Sequence, residues 1–372
     1  MISIDRRSLQ HFDWMLLALI LLIVAVGLVN LFSTTQPLPP PAVGVASEFK
    51  TQLAALMLGL VGLVVMVAMD YRRLERIAPF LYALVLLALA ATIAFGTEIR
   101  GNKSWLRIGP ASVQPAEFAK LGLIVMMARY FHRHPPGEMR RLLDLFLPLL
   151  ILAVPVGLII LQRDTGVAVL TLAIGATYFL FVSLPWKTWA LIVALAVAGA
   201  VGAWNVALKP YQRERVLSFV NAGSGDSLGT DYQAIQSRIT VGSGGLTGQG
   251  WLEGPQNRGQ FLPTQHSDFA FSVIAEEWGF AGSATVLGLY AVLLLWGLAI
   301  AANSKDGFGA MLAIGVVSML LWPALINIAM VLGLAPVIGV PLPLISYGGS
   351  QMLANLVGLG LLLSVSMRRY MF

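Results

Sequence analysis

Apolar runs of about twenty residues recur along the whole 372-residue chain, and that length is what a helix needs to cross the hydrocarbon core of a bilayer. Backbone groups inside a bilayer must be satisfied within the chain, so runs of this kind admit helices and little else. Ten spans are expected, at roughly 14–32, 51–69, 77–95, 115–131, 142–161, 166–184, 187–208, 269–302, 309–335 and 350–367. The composition agrees: 58% of residues are hydrophobic and 11% charged, against about 25% charged in a soluble domain. The fold class is therefore an all-α polytopic membrane protein, a single transmembrane domain over residues 1–372. The first run, Trp14–Phe32, has no small-residue cleavage site after it and reads as a retained helix. The eighth and ninth runs are long enough to tilt or to project beyond the bilayer.

Basic residues set the orientation. Arg6 and Arg7, Arg72, Arg73 and Arg76, Arg129, Arg133, Arg140 and Arg141, Lys187, Lys305, and Arg368 with Arg369 fall in the even-numbered linkers and at both termini. By the positive-inside rule those segments and both termini are cytoplasmic, as an even span count also requires. The net charge of +6 then needs no nucleic acid, because basic loops facing anionic lipid account for it. The chain has no cysteine, which excludes disulfides and thiolate metal sites.

One long polar segment, 209–268, interrupts this pattern and faces outward. Its start, Tyr211–Phe219, mixes Arg213, Glu214 and Arg215 with apolar residues and reads as a short helix lying on the membrane surface. Tyr232 and Gln236 then lie one helical turn apart, followed by Arg238. The clusters Gly242-Ser243-Gly244-Gly245 and Gly248-Gln249-Gly250 supply backbone able to approach a ligand, or serve as a plain linker. The segment closes on Phe261-Leu262-Pro263-Thr264-Gln265-His266-Ser267-Asp268, which places Asp268 at the outer N-terminus of the eighth span. The helix dipole stabilises a carboxylate there, and an N-cap is the plain alternative. His266 is a weaker candidate. Glu276 and Glu277 follow inside the span, where a carboxylate must be paired or protonated. The run Pro37-Leu38-Pro39-Pro40-Pro41 reads as a stiff connector in the first outer loop.

Two further outer segments carry unusual polar groups. One runs from Gly101 through Lys103 and Arg107 to Gln114-Pro115-Ala116-Glu117-Phe118-Ala119-Lys120. Pro115 suits a first helical turn, and Glu117 and Lys120 share one face at i and i+3. Ionisable groups at the mouth of a span are functional candidates, with a structural ion pair as the alternative. The other is Gln162-Arg163-Asp164-Thr165-Gly166, where Asp164 either acts chemically or caps the sixth helix. No spacing suits a histidine metal site or a Ser-His-Asp arrangement. The residues alone thus point to an anionic ligand at the outer face. Lys103, Arg107, Lys120, Arg213, Arg215, Arg238 and Arg258 are its candidate cations. Glu117, Asp164 and Asp268 are the candidate acids and bases. A transporter and an enzyme remain equally open at this level.

The stretch NIAMVLGLAPVIGVPLPLISYGGS at Asn327–Ser350 narrows the choice. With the Gln-Pro-Ala-Glu, Tyr-Gln…Gln-Ser-Arg…Gly-Ser-Gly-Gly and Phe-Leu-Pro…His…Asp-Phe segments in order, the chain resembles the shape, elongation, division and sporulation family of cell-wall polymerases over essentially its whole length. The Gly339-Val340-Pro341-Leu342-Pro343 form and the short tails resemble the elongation branch. This resemblance implies a peptidoglycan glycosyltransferase that polymerises lipid II at the outer face of the bacterial inner membrane, with a class B penicillin-binding protein as partner. It implies catalytic roles for Asp268, Glu117 and Lys120. Substrate contacts are expected from Lys103, Arg107, Gln114, Asp164, Thr165, Tyr232, Gln236, Arg238, Ser243 and His266. Mg²⁺ or Mn²⁺ is the candidate ion, with no organic cofactor. Arg163, Gln265 and Gln351 depart from the family pattern. The competing readings are a lipid II flippase and a non-catalytic scaffold for the penicillin-binding protein.

Overall fold

The computed structural model describes residues 11–36, 46–99, 102–109, 111–139, 141–183, 185–186, 188–190, 194 and 230–369. All of the expected span at 187–208 except 188–190 and 194, the surface helix with Arg213 and Arg215, the proline run and basic residues Arg6, Arg7, Arg140 and Lys187 lie outside them. Helices α1 (Trp14–Thr34), α2 (Ser47–Ala68) and α3 (Arg72–Phe95) come first. A three-stranded antiparallel sheet follows, with order β1 (Thr97–Ile99), β2 (Asn102–Ile108), β3 (Ala111–Val113). Then come α4 (Pro115–Arg133), a 3-10 turn at Leu142–Leu145, α5 (Phe146–Leu161) and α6 (Thr165–Phe179). The polar segment before residue 269 holds α7 (Thr230–Ser243) and the one-turn α8 (Pro255–Arg258). The body closes with α9 (Ala270–Ala302), α10 (Gly307–Val331) and α11 (Gly349–Arg368).

The body is helical, as the hydropathy predicts. Seven segments among the described residues are long and apolar enough to cross a membrane, and α6 is a shorter apolar helix. Helix α4 has 19 residues but carries Glu117, Lys120, Arg129 and Arg133, so it is less apolar than its neighbours. Its position is nonetheless central, packed by α3 and α10. The small sheet over 97–113 was not anticipated from sequence; β1 and β3 have three residues each, and the seven of β2 do not alternate polar with apolar.

Helix α11 is the most buried span and packs most extensively on α2. Small residues bring the two together. A Cβ on Gly360 would stand 2.7 Å from the Leu63 carbonyl oxygen, and one on Gly59 would stand 2.5 Å from a Leu356 methyl. Helix α9 is broken at Gly279, whose φ of 66° and ψ of −162° separate a buried first part from a longer, partly exposed one.

Between α10 and α11 the chain is irregular yet buried, with Val337, Val340, Leu342, Leu344, Ile345 and Ser346 all inside. Irregular backbone at such depth needs partners for its polar groups. Gln52 of α2 supplies two, donating to the Ser346 carbonyl at 3.3 Å and accepting from Gly348 N–H at 3.0 Å. Tyr290 of α9 donates to the Pro343 carbonyl, and Ser346 Oγ accepts from Leu342 N–H at 2.9 Å.

The two ends of the bundle differ in chemistry. At one, Tyr71 donates to Asp306 at 2.6 Å, Arg72 pairs with Asp306 at 3.3 Å, and Arg133 pairs with Glu75 at 3.2 Å. Burial alone would raise the Asp306 carboxyl, but the Tyr71 hydroxyl, the Gly309 N–H and the Arg72 guanidinium outweigh it and hold it below its ordinary value. The opposite end gathers the sheet, the 162–165 turn, the 230–269 segment and the irregular strap.

Candidate functional site

Residues Gln162, Arg163 and Asp164 join α5 to α6 directly. Arg163 takes a left-handed φ of 65°, which turns the chain back within one residue. Asp164 then caps α6 through Oδ1, which accepts from Val167 N–H at 3.3 Å. Its other oxygen accepts from Gln114 Nε2 at 2.7 Å. Asp164 is thus both a cap and a member of a polar cluster. Gln114 sits between β3 and α4, and its own N–H donates to Ser350 Oγ at 3.0 Å. Burial pushes the Asp164 carboxyl above the ordinary carboxylate range, and the nearby Glu117 charge pushes it the same way. The bonds from Val167 and Gln114 oppose both. Thr165, the first residue of α6, is exposed.

One turn into α4, Lys120 Nζ meets Glu117 Oε2 at 2.8 Å, and both side chains are almost wholly buried. The expected i, i+3 pair is present. Its cation is committed to Glu117 and stands inside the bundle.

The strap connects this cluster to Asp268. A Cβ on Gly166 would stand 3.0 Å from the Ile338 carbonyl oxygen, so the start of α6 lies flush on the strap. A Cβ on Gly339, which has a φ of 72°, would stand 3.4 Å from Asp268 Oδ2. Residues 338–340 therefore touch both the start of α6 and Asp268. Asp268 is half-buried, its N–H donates to the Thr264 carbonyl at 3.1 Å, and its own carbonyl accepts from Asn327 Nδ2 at 2.7 Å. His266 packs edge-on against Tyr347 at 5.6 Å, and its carbonyl accepts from Tyr347 N–H at 2.9 Å.

Several other expected ligands make contacts within the chain. Lys103 Nζ donates to the Ile93 and Ala94 carbonyls at 2.8 and 3.3 Å, so it caps the C-terminus of α3, where the dipole favours a cation. Arg107 is exposed on β2. Tyr232 donates to the Phe261 carbonyl at 2.9 Å, Gln236 donates to Gln256, and Ser243 Oγ donates to the Thr240 carbonyl at 2.7 Å. These three brace the polar segment. Arg238 is exposed, with Nε 3.4 Å from the Ala234 carbonyl and its stem beside Gly333. Arg258 Nε donates to the Leu252 carbonyl at 2.6 Å.

The glycine clusters likewise approach protein. A Cβ on Gly244 would stand 1.9 Å from the Ala275 carbonyl oxygen, and one on Gly248 2.1 Å from that of Glu277. Glu276 and Glu277 complete this latch. Glu276 accepts from Gln256 N–H at 2.7 Å and Asn257 N–H at 3.1 Å, the first amides of α8. Glu277 accepts from Ser33 and, at 2.9 Å, from Asn257 Nδ2. Sequence reasoning missed Asn257, Asn327 and Gln52. For the last two a signal existed: a carboxamide within an otherwise apolar helix is costly without a partner.

Comparison with known proteins places this arrangement. A family model described as cell cycle protein, FtsW/RodA/SpoVE, matches residues 13–371. The chain belongs to that family. Peptidoglycan glycosyltransferase MrdB of Escherichia coli strain K12 is 37% identical over 365 residues, which are 97% of this chain and 95% of that protein. Peptidoglycan glycosyltransferase RodA of Treponema pallidum is 29% identical over 435 residues, 98% of this chain and 99% of that protein. Among solved structures, a chain of a peptidoglycan synthase complex that coordinates polymerization and crosslinking matches with a TM-score of 0.81. It is 36% identical and the match covers 97% of this chain and 99% of that one. The rod shape determining protein RodA of Thermus thermophilus matches with a TM-score of 0.71 at 33% identity, over 97% and 98% of the two chains.

The cation expectation meets a sparse donor set. Among the described residues no group of three or more His, Asp or Glu converges as metal ligands would. Lys120 already neutralises Glu117. Among the described residues, then, no protein-held Mg²⁺ or Mn²⁺ cage is assembled.

Proposed function

We propose that this chain is an elongation-type peptidoglycan glycosyltransferase that polymerises lipid II at the outer face of the bacterial inner membrane. Both termini are then cytoplasmic, and a class B penicillin-binding protein supplies the crosslinking partner. The observation that carries this reading is a half-buried Asp268 at the polar end of the bundle, beside the strap that also touches the start of α6 next to Asp164 and Gln114. Family membership and the relatives' activity supply the reaction class.

Lipid II carries its disaccharide on a pyrophosphate. The 4-hydroxyl oxygen of the acceptor sugar attacks the anomeric carbon of the donor from the face opposite the pyrophosphate. The new C–O bond forms as the bond to pyrophosphate oxygen breaks, and the lipid pyrophosphate leaves with the electron pair. A hydroxyl is a weak nucleophile at neutral pH, so its proton passes to a nearby carboxylate base, Asp268. The leaving pyrophosphate concentrates negative charge. Arg107 and Arg163, both exposed at this end, are the cations to meet it, since Lys103 is spent on α3. A divalent ion in this reading arrives on the pyrophosphate rather than in a protein cage, as Mg²⁺ commonly does.

The test is glycan-strand formation from labelled lipid II by purified protein in detergent, where flipping has no meaning and polymerisation does. Wild type makes strands, and Asp268→Ala makes none while melting within a few degrees of wild type. Full activity in Asp268→Ala sinks the assignment of the base. Failure of folded wild type to make strands, with its partner present, favours the flippase or the scaffold.

A further inference from the structure

We infer that Asn327 is a positioning residue for Asp268: its single carboxamide nitrogen ties the Asp268 carbonyl to the Val340 carbonyl and so sets where the base stands. This rests on the role proposed above for Asp268. Asn327 lies wholly buried within α10. Its Nδ2 donates to the Asp268 carbonyl at 2.7 Å and to the Val340 carbonyl at 2.6 Å.

Neither carbonyl belongs to a helical ladder. Asp268 precedes the N-cap of α9, Phe269, and Val340 lies in the irregular strap. Buried carbonyls of this kind need a donor from elsewhere. One side chain serves both, and in doing so it clamps two segments that have no covalent link nearby. The clamp acts where position matters, because Gly339, next to Val340, is the strap residue that abuts the Asp268 carboxylate. Moving the strap or the Asp268 backbone therefore moves the carboxylate relative to the Asp164 turn.

The experiment compares Asn327→Leu, Gly339→Ala and Asp268→Asn in the lipid II polymerisation assay, with melting temperature, kcat and KM measured for each. Asn327→Leu keeps the branched four-atom side-chain shape and removes the clamp. Displacement of a reacting group by about an ångström costs on the order of a hundredfold in rate, so kcat per folded molecule should fall by about that factor with KM for lipid II little changed; the melting temperature falls as well, because two carbonyls lose their donor, so the kcat-against-KM split is the deciding readout. Gly339→Ala forces a left-handed φ of 72° on an alanine, which strains the strap where it lies against Asp268, and should also lower kcat more than it changes KM. It decides the matter if Asn327→Leu does not fold. Wild-type kcat per folded molecule in these variants, or a rise in KM with kcat intact, overturns the inference. If Asp268→Asn is itself active, the underlying assignment falls instead, and the two failures are distinguishable.

Discussion

Lys120 is a fully buried ammonium whose counter-charge, Glu117, stands 2.8 Å away with almost no water nearby. Taking two charges out of water is expensive, and their attraction offsets that cost only while both are present. Lys120→Met leaves the Glu117 charge stranded and should destabilise the fold by about 3–5 kcal/mol. The double variant Lys120→Met, Glu117→Gln should recover much of that loss, which thermal melting in detergent would show as a large coupling term. Additive losses would mean the pair is not an isolated ion pair. Polymerisation by the refolded double variant then separates a catalytic role of these residues from a structural one. The i, i+3 spacing was visible in the sequence; the burial that makes the pair costly to break was not.

At the scale of elements, the polar segment before residue 269 is held on α9 by backbone contact. Glycines 244 and 248 admit the Ala275 and Glu277 carbonyls at distances no side chain allows, and the Glu276 carboxylate binds the first amides of α8. Gly244→Ala places a methyl where the Ala275 oxygen now sits, without a left-handed φ to complicate the result. The 244–258 stretch should then lift away. Protease sensitivity and amide exchange there should rise, while exchange in α10 and α11 stays near wild type. Unchanged protection over 244–258 would show that the latch does not depend on this approach. In sequence the glycines looked suited to a ligand, because flexibility is a property of the residue while its partner is a property of the fold.

For the whole molecule, orientation is the property to test. The chain has no cysteine, so single substitutions report without a background. Arg107 and Lys305 are exposed at opposite ends of the bundle. In intact spheroplasts Arg107→Cys should react with a membrane-impermeant maleimide, and Lys305→Cys should react only after permeabilisation. The reverse pattern would invert the topology and put Asp268 on the cytoplasmic side.

The sequence by itself determined that the chain is a helical membrane protein, where most of its spans run and which residue types carry charge at each mouth. Hydropathy, charge bias and caps are local, so a linear reading captures them. It also marked Asp268, Asp164, Glu117 and Lys120 as candidates. Only the tertiary structure decided what each one touches. Gln114 and Ser350 meet across 236 residues of chain, and Asn327 reaches Asp268 across 59. The same packing turned Lys103 back onto α3, gave Tyr232 and Gln236 to the polar segment, and brought the strap against both the start of α6 and Asp268. The physical reason is that a buried polar group must find a partner, and in an apolar bundle that partner comes from whichever distant segment the packing delivers.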